Sequence, residues 1–254
     1  MKLSSSINWV ITWLALALLK RSIRNRLKGE GADWLQPVLT NDPGIFNRVD
    51  FIIEHSANKK VLHIGFSDHP YTVDRILSGD LLHIKLKKIA TGLVGVDNEP
   101  VAIQQYTSLT MDMNVFHTNI TVQYPIEVIQ FNPELVLLSE VLEHLTDPYK
   151  AIEVLHNSFA DGTMIMVTVP NYVSLDSLAS STNKSESIHP HHHWYFSPYT
   201  LCQLLDSKRF RLLQLHFGMY YQQGTKINAV LKSYPFNGDC IIALFSIIKK
   251  DVHD

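Results

Sequence analysis

The chain has little cysteine. Its two, Cys202 and Cys240, stand far apart and match no zinc or redox spacing. That argues against a disulfide framework or a thiolate metal site and leaves two buried free thiols in a reducing, cytoplasmic compartment. In such a compartment the glycosylation sequons at Asn119 and Asn183 are chance matches. A basic surplus is missing as well. With 22 Lys and Arg against 24 Asp and Glu, the formal charge is −2. Nucleic acid is therefore an unlikely partner, since nothing outside one local cluster would grip it.

No spanning helix is evident either, since one needs roughly 20 apolar residues and the run INWVITWLALALL, Ile7 to Leu19, has 13. Its basic residues Lys20, Arg21, Arg24, Arg26 and Lys28 follow the run, and no small-residue cleavage site is visible, so it does not read as a signal peptide. Two readings stay open for it. One is a helix lying on a membrane surface through residues 7–28, with Trp9 and Trp13 at the headgroups and the basic tail on anionic lipid. The other is a helix packed on the domain or on a partner chain. Residues 29–44, with Gly29, Gly31, Pro37, Pro43 and Gly44, read as a linker. The expected organisation is thus 1–44, an apolar and basic helix with its linker, followed by a single domain over 45–254.

Glycine is scarce where a phosphate would need it. The stretch KKVLHIGFSDHP, Lys59 to Pro70, has Gly65 alone, whereas a dinucleotide loop uses three glycines to bring a pyrophosphate onto a helix N-terminus. An NAD-dependent oxidoreductase therefore lacks its pattern.

What is present is an alternation of strand and helix. VLHIGF, LVGVD, NVFHTNITV, PELVLLS and TMIMVTVP read as strands, and Leu82, Leu86 and Ile89 share a helical face, as do Ala151, Val154, Leu155 and Ser158. Strands that are apolar throughout predict a parallel sheet covered on both sides. A helix around Tyr199 to Asp206, a strand around Arg211 to Phe217 and the run CIIALFSIIKK follow. The last two strands are expected to pair antiparallel at the sheet edge, joined by a Gly218–Asp239 connection without a clear helix.

In such sheets ligands bind beyond the carboxyl ends of the strands. Those ends offer Gly65, Phe66, Ser67 and Asp68, then Asp97 and Asn98. Gly65 allows close backbone approach, and Asp97 can accept both hydroxyls of a ribose. A nucleoside without phosphate and with a positive sulfur, S-adenosylmethionine, fits this set.

The segment PELVLLSEVLEHLTDPYKAIEVLHNSFADGTMIMVTVPN resembles class I S-adenosylmethionine-dependent methyltransferases, above all in SEVLEHLTDP. The resemblance runs from about Lys60 to Lys250. It implies a seven-stranded Rossmann-like sheet, mostly parallel with an antiparallel last strand. It also implies that Gly65, Phe66 and Ser67 line the methionine part of the cofactor, that Asp97 and Asn98 meet the ribose, that Asn119 lies near the adenine and that Ser139 borders the site. Departures are visible: His63 stands where the family carries an acid, and Phe66 and SDHP replace the glycine-rich remainder. Gly65 to Asp97 also spans 32 positions, with SGDLLHIKLKK apparently inserted.

Glu140, Glu143 and His144, read as a helix, share one face. They suit a general base, a divalent cation or structural pairing. The likeness to the E-x-x-E-H site of small-RNA 2′-O-methyltransferases and ubiquinone-pathway O-methyltransferases implies Mg²⁺ or Mn²⁺ on Glu140, Glu143, His144 and a further histidine. His189, His191, His192 and His193 are the local candidates for that place, and His193 is the one taken. His144 is the expected base, because an imidazole titrates near neutral pH. Residues 171–196, Ser- and Asn-rich and then dense in His and aromatics, read as a substrate lid without its own periodicity. The leading expectation is O-methylation of a small-molecule or glycan-type acceptor. The alternative is a degenerate fold acting as a non-catalytic scaffold.

Overall fold

The computed structural model describes residue 25 and residues 43–220 and 225–249. Everything below lies in one compact unit, Leu39–Asp254. Apart from residue 25, the segment 7–28, read as a helix lying on a membrane or packed on protein, lies outside the described residues, as do residues 29–42 of the expected linker. Among the described residues no helix is long and apolar enough to cross a membrane.

The described residues build one eight-stranded sheet from β1 (Ile45–Asn47), β2 (Lys60–Ile64), β3 (Gly92–Asp97), β4 (Val115–His117), β5 (Leu135–Ser139), β6 (Met164–Pro170), β7 (Phe210–Met219) and β8 (Cys240–Ile247). Their order is β1-β7-β8-β6-β5-β2-β3-β4. Only β8 runs antiparallel to its neighbours β6 and β7; every other pair is parallel. The mostly parallel sheet with an antiparallel last strand is as expected, but the count is eight rather than seven. The extra strand is β1, whose Ile45 pairs with Phe217. Three residues are too few to show a period, so the sequence carried no sign of it. For the same reason the β7–β8 pair does not close the sheet: β8 lies inside, and β1 caps the edge.

All five residues of β5 are buried, as are seven of the eight in β8, because helices cover both faces. From α1 (Arg48–Ser56) come Phe51 and Ile52, which join Val61, Leu135, Leu137, Met166 and Ile242 in the main core. After β2 come α2 (Thr72–Ser78) and α3 (Leu82–Lys87). The stretch SGDLLHIKLKK is therefore an ordered turn of chain whose Leu86 enters the main core. A second cluster joins Phe66, Leu81 and Val115 to Tyr106 of α4 (Pro100–Thr110). Two further helices follow, α5 (Ile126–Phe131) and α6 (Pro148–Ser158). The TDP of the sequence motif is the start of α6: Asp147 accepts the Lys150 N–H at 2.9 Å, and Pro148 sits where its missing N–H costs nothing.

Two connections are more ordered than expected. The 171–196 segment contains α7 (Leu175–Thr182), capped by the Ser174 hydroxyl. After α8 (Pro198–Leu204), the Gly218–Asp239 connection carries α9 (Thr225–Ser233) and a 3₁₀ turn, Pro235–Asn237. Strand order reverses between β2 and β5, so the carboxyl ends of these two strands flank the crevice where such a sheet binds ligands.

Candidate active site

At the end of β2 the chain turns at Gly65, with φ of +71° and its N–H on the Val96 carbonyl at 2.9 Å. A Cβ there would meet Val141 Cγ2 at 2.6 Å, so only glycine lets the two strand ends come this close. Two residues on, the Ser67 N–H donates to Asp97 Oδ2 at 3.0 Å, while the Glu99 N–H donates to Oδ1 at 3.1 Å. The carboxylate is thereby held at the β3 end with lone pairs to spare. Gly65, Ser67, Asp97 and exposed Asn98 line a cavity of about 820 Å³, together with Ser139 and His144.

Phe66 also borders this cavity, but its ring is 1% exposed and packs in the core, with centroids 4.8 Å from His83 and 5.1 Å from Tyr106. His63, standing for the family's acid, faces His83 with Nδ1 atoms 3.2 Å apart, a contact in which one Nδ1 donates and the other accepts, so at least one ring is neutral. Burial pushes both imidazoles down, His83 to about 3. Asn119 does not reach the cavity. Its Oδ1 accepts from the Thr121 N–H and hydroxyl in a local Asx turn, and Thr118 and Ile120 line the wall instead.

The β5 end corrects a second expectation. Glu140 adopts φ of +57°, and Leu142–His144 form a single 3₁₀ turn rather than an α-helix. Glu140, Glu143 and His144 therefore do not share a helical face. The Glu140 carboxylate accepts the Thr168 hydroxyl at 2.8 Å and the Tyr220 hydroxyl at 2.6 Å. Arg48 Nη1 donates to Ser139 Oγ at 2.6 Å, Ser139 Oγ lies 3.1 Å from Thr168 Oγ1, and the Arg48 guanidinium covers the Tyr220 ring at 5.3 Å. Burial opposes the charge on Arg48 most strongly, yet the neighbouring acidic groups together, Glu140 foremost, outweigh it and hold the guanidinium above its ordinary value. Burial, and then Glu140, push the Tyr220 phenol well up.

Glu143 is wholly buried, and neither carboxyl oxygen has a hydrogen-bond partner in the protein. Burial first and Glu140 second raise it well above its ordinary value, which favours the neutral carboxyl. His193 meets Glu143 only through its own N–H on the Glu143 carbonyl at 2.8 Å. The expected set of Glu140, Glu143, His144 and His193 is thus not gathered: one carboxylate is committed to two hydroxyls and the other carboxyl lies buried in the core. Instead, His144 is joined by His189 and His192, with ring centroids 5.8 and 4.5 Å away. Burial, with His189 next, lowers the pKa of His144.

Arg48 and Tyr220 were not singled out from the sequence. They lie 91 and 80 positions from their partners Ser139 and Glu140, and only the fold joins them.

The family model of the methyltransferase domain matches residues 54–215. The chain belongs to this family. Its sheet is that of class I S-adenosylmethionine-dependent methyltransferases. An S-adenosylmethionine-dependent methyltransferase of Mesorhizobium loti is 8% identical, covers 78% of this chain and 95% of its own, and superposes with a TM-score of 0.51. A second, from Aquifex aeolicus, is 10% identical over 80% of this chain and 90% of its own, with a TM-score of 0.50. The Bradyrhizobium japonicum N-methyltransferase NodS with S-adenosyl-L-homocysteine is 16% identical over 90% and 98%, with a TM-score of 0.47. Among curated proteins, none matches the sequence. At these identities the structural likeness speaks for the fold.

The cavity of this methyltransferase fits an adenosine-bearing donor on its own evidence. Gly65 lines it at the close meeting of two strand ends, and the buried hydroxyls of Ser67 and Thr118 on its wall have no partner within the protein. An unsatisfied buried hydroxyl is costly, and a nucleoside or amino-acid group supplies what it needs.

Proposed function

We propose that this methyltransferase moves the methyl group of S-adenosylmethionine to a hydroxyl oxygen of a small-molecule or glycan-type acceptor, with His144 as base. When bound, the donor supplies a methyl on a positively charged sulfur, and in-line displacement makes orientation much of the catalysis. Gly65 and Ser67 hold its amino-acid end, Asp97 and Asn98 its ribose, Thr118 its base, and Ser139, itself fixed by Arg48, borders the reacting end. The observation that carries the reading is that His144 lines the same cavity as Gly65 and Asp97. Its lowered pKa leaves the imidazole neutral, with a lone pair for an acceptor proton, near pH 7. A volume of about 820 Å³ suits donor plus small acceptor. The formal charge of −2 speaks against nucleic acid.

The test is transfer of labelled methyl to a panel of hydroxylated acceptors. His144→Phe is expected to lower kcat by roughly 100-fold or more while leaving donor affinity in place. A methyl found on nitrogen, or an unchanged kcat in that variant, overturns the oxygen-directed reading. A non-catalytic binding subunit is the second reading, favoured by His63, which replaces the family's acid and is locked against His83. Calorimetry separates the two, since a scaffold with a spent site takes up no donor. We place the protein in the cytoplasm, with residues 7–28 as its contact to a membrane surface; flotation with anionic vesicles tests that contact.

A further inference from the structure

We propose that His144, His189 and His192 form a zinc-type metal site that fastens the 171–196 segment to the turn after β5. Each ring offers one nitrogen, and the three nitrogens all lie within 4.8 Å of one another. The rings surround a common point, with His144 and His192 at 4.5 Å and 86°, His144 and His189 at 5.8 Å, and His189 and His192 at 5.2 Å.

The backbone frame for this convergence is already in place. The His192 N–H donates to the His189 carbonyl at 3.0 Å, a tight turn that sets both rings on one side. The next two residues dock on the turn that bears His144: the His193 N–H on the Glu143 carbonyl at 2.8 Å and Trp194 Nε1–H on the Leu145 carbonyl at 2.7 Å. Tetrahedral zinc with nitrogen at about 2.0–2.1 Å wants nitrogens roughly 3.3 Å apart. Side-chain rotation can provide the remaining closure, since His144 and His189 are exposed and His192 is half-buried.

Ligand chemistry selects the ion. Three imidazoles without a carboxylate or thiolate favour Zn²⁺ or Co²⁺ over Mg²⁺ or Mn²⁺. This set keeps His144, takes two of the histidines that were candidates for the further ligand in place of His193, and leaves both glutamates out. His144 also lines the cavity, so the site adjoins it. A metal on His144 takes the lone pair that the base role uses, and the zinc-loaded protein is accordingly the slower methyltransferase. Metal binding itself is independent of the acceptor and is read without methyl transfer.

The experiment titrates Co²⁺ into the full chain without a histidine tag and follows visible absorption. The expected result is a saturable tetrahedral spectrum. His189→Ala and His192→Ala each weaken it at least tenfold, whereas Glu140→Gln and Glu143→Gln leave it in place. Zn²⁺ should also slow tryptic cleavage after Lys184, which lies exposed in the fastened segment. The exposed and half-buried histidine rings leave the core untouched, so circular dichroism of the alanine variants is expected to match the parent. Absence of a saturable spectrum, its survival in the double alanine variant, or its loss in either glutamine variant overturns the site.

Discussion

Gly65 and Asp97 are the two residues on which the cavity turns, and each acts through backbone geometry. Alanine at 65 would have to hold φ near +71° with its Cβ 2.6 Å from Val141 Cγ2. Gly65→Ala is therefore expected to cost about 1–3 kcal/mol in urea denaturation and to weaken donor binding. A second prediction concerns His63 and His83, whose folded-state pKa values lie below the ordinary 6.5. Groups with depressed pKa values stabilise the fold above their unfolded pKa and lose that contribution as pH falls towards the folded one. Stability should drop between pH 7 and 5, by roughly 2 kcal/mol for His83, with His63 acting in the same direction. The double variant His63→Leu/His83→Leu should flatten that drop in denaturation midpoints measured at the two pH values. At this scale the convergence of Gly65, Ser67, Asp97 and Ser139 was legible, because strand ends in a parallel sheet must meet. The place of Asn119 was not, since a side chain that hydrogen-bonds its own turn leaves no pattern. The carboxylate set misled because positions i, i+3 and i+4 share a face only in a helix, and φ of +57° at Glu140 precludes one there.

Among the elements, those buried on both faces were readable and those shaped by local turns were not. Apolar runs betrayed β5, β6 and β8. By contrast, β1 has three residues, and α7 sits in a Ser- and Asn-rich stretch whose polar composition resembles a loop. The 171–196 segment returns to the sheet through a parallel bridge between Asn171 and Phe196, and its outer part is tied by Tyr195 to Glu186 at 2.8 Å and by Trp194 to Leu145. Trp194→Phe keeps the apolar body and removes one donor, a net change of about 0.5–1.5 kcal/mol. Tryptic cleavage after Lys184 should accelerate by roughly two- to tenfold, in line with that opening energy. An unchanged rate would mean that the indole does not hold the segment down. Arg48, at the start of α1, ties the N-terminal edge of the domain to the ends of β5 and β7 through Ser139, Glu140 and Tyr220.

For the molecule as a whole, a mostly parallel sheet with its switch point between β2 and β5 places one cavity where both function and family membership require it. The strand alternation and the strand-end acid made this level the most legible of the three, because they follow from burial and chain direction rather than from any single contact. On the proposed reading one glycine is enough, because the loop then meets a nucleoside and a sulfonium and not a pyrophosphate. NAD should consequently bind far more weakly than S-adenosylmethionine. The most direct test is isothermal calorimetry of S-adenosylmethionine with the parent chain and with Asp97→Ala. Saturable heat is predicted for the parent, with affinity roughly tenfold or more weaker in the variant, as expected for loss of charge-assisted hydrogen bonds. No heat from the parent at high ligand concentration, or equal affinity in the two proteins, would contradict the assignment of this cavity to the methyl donor.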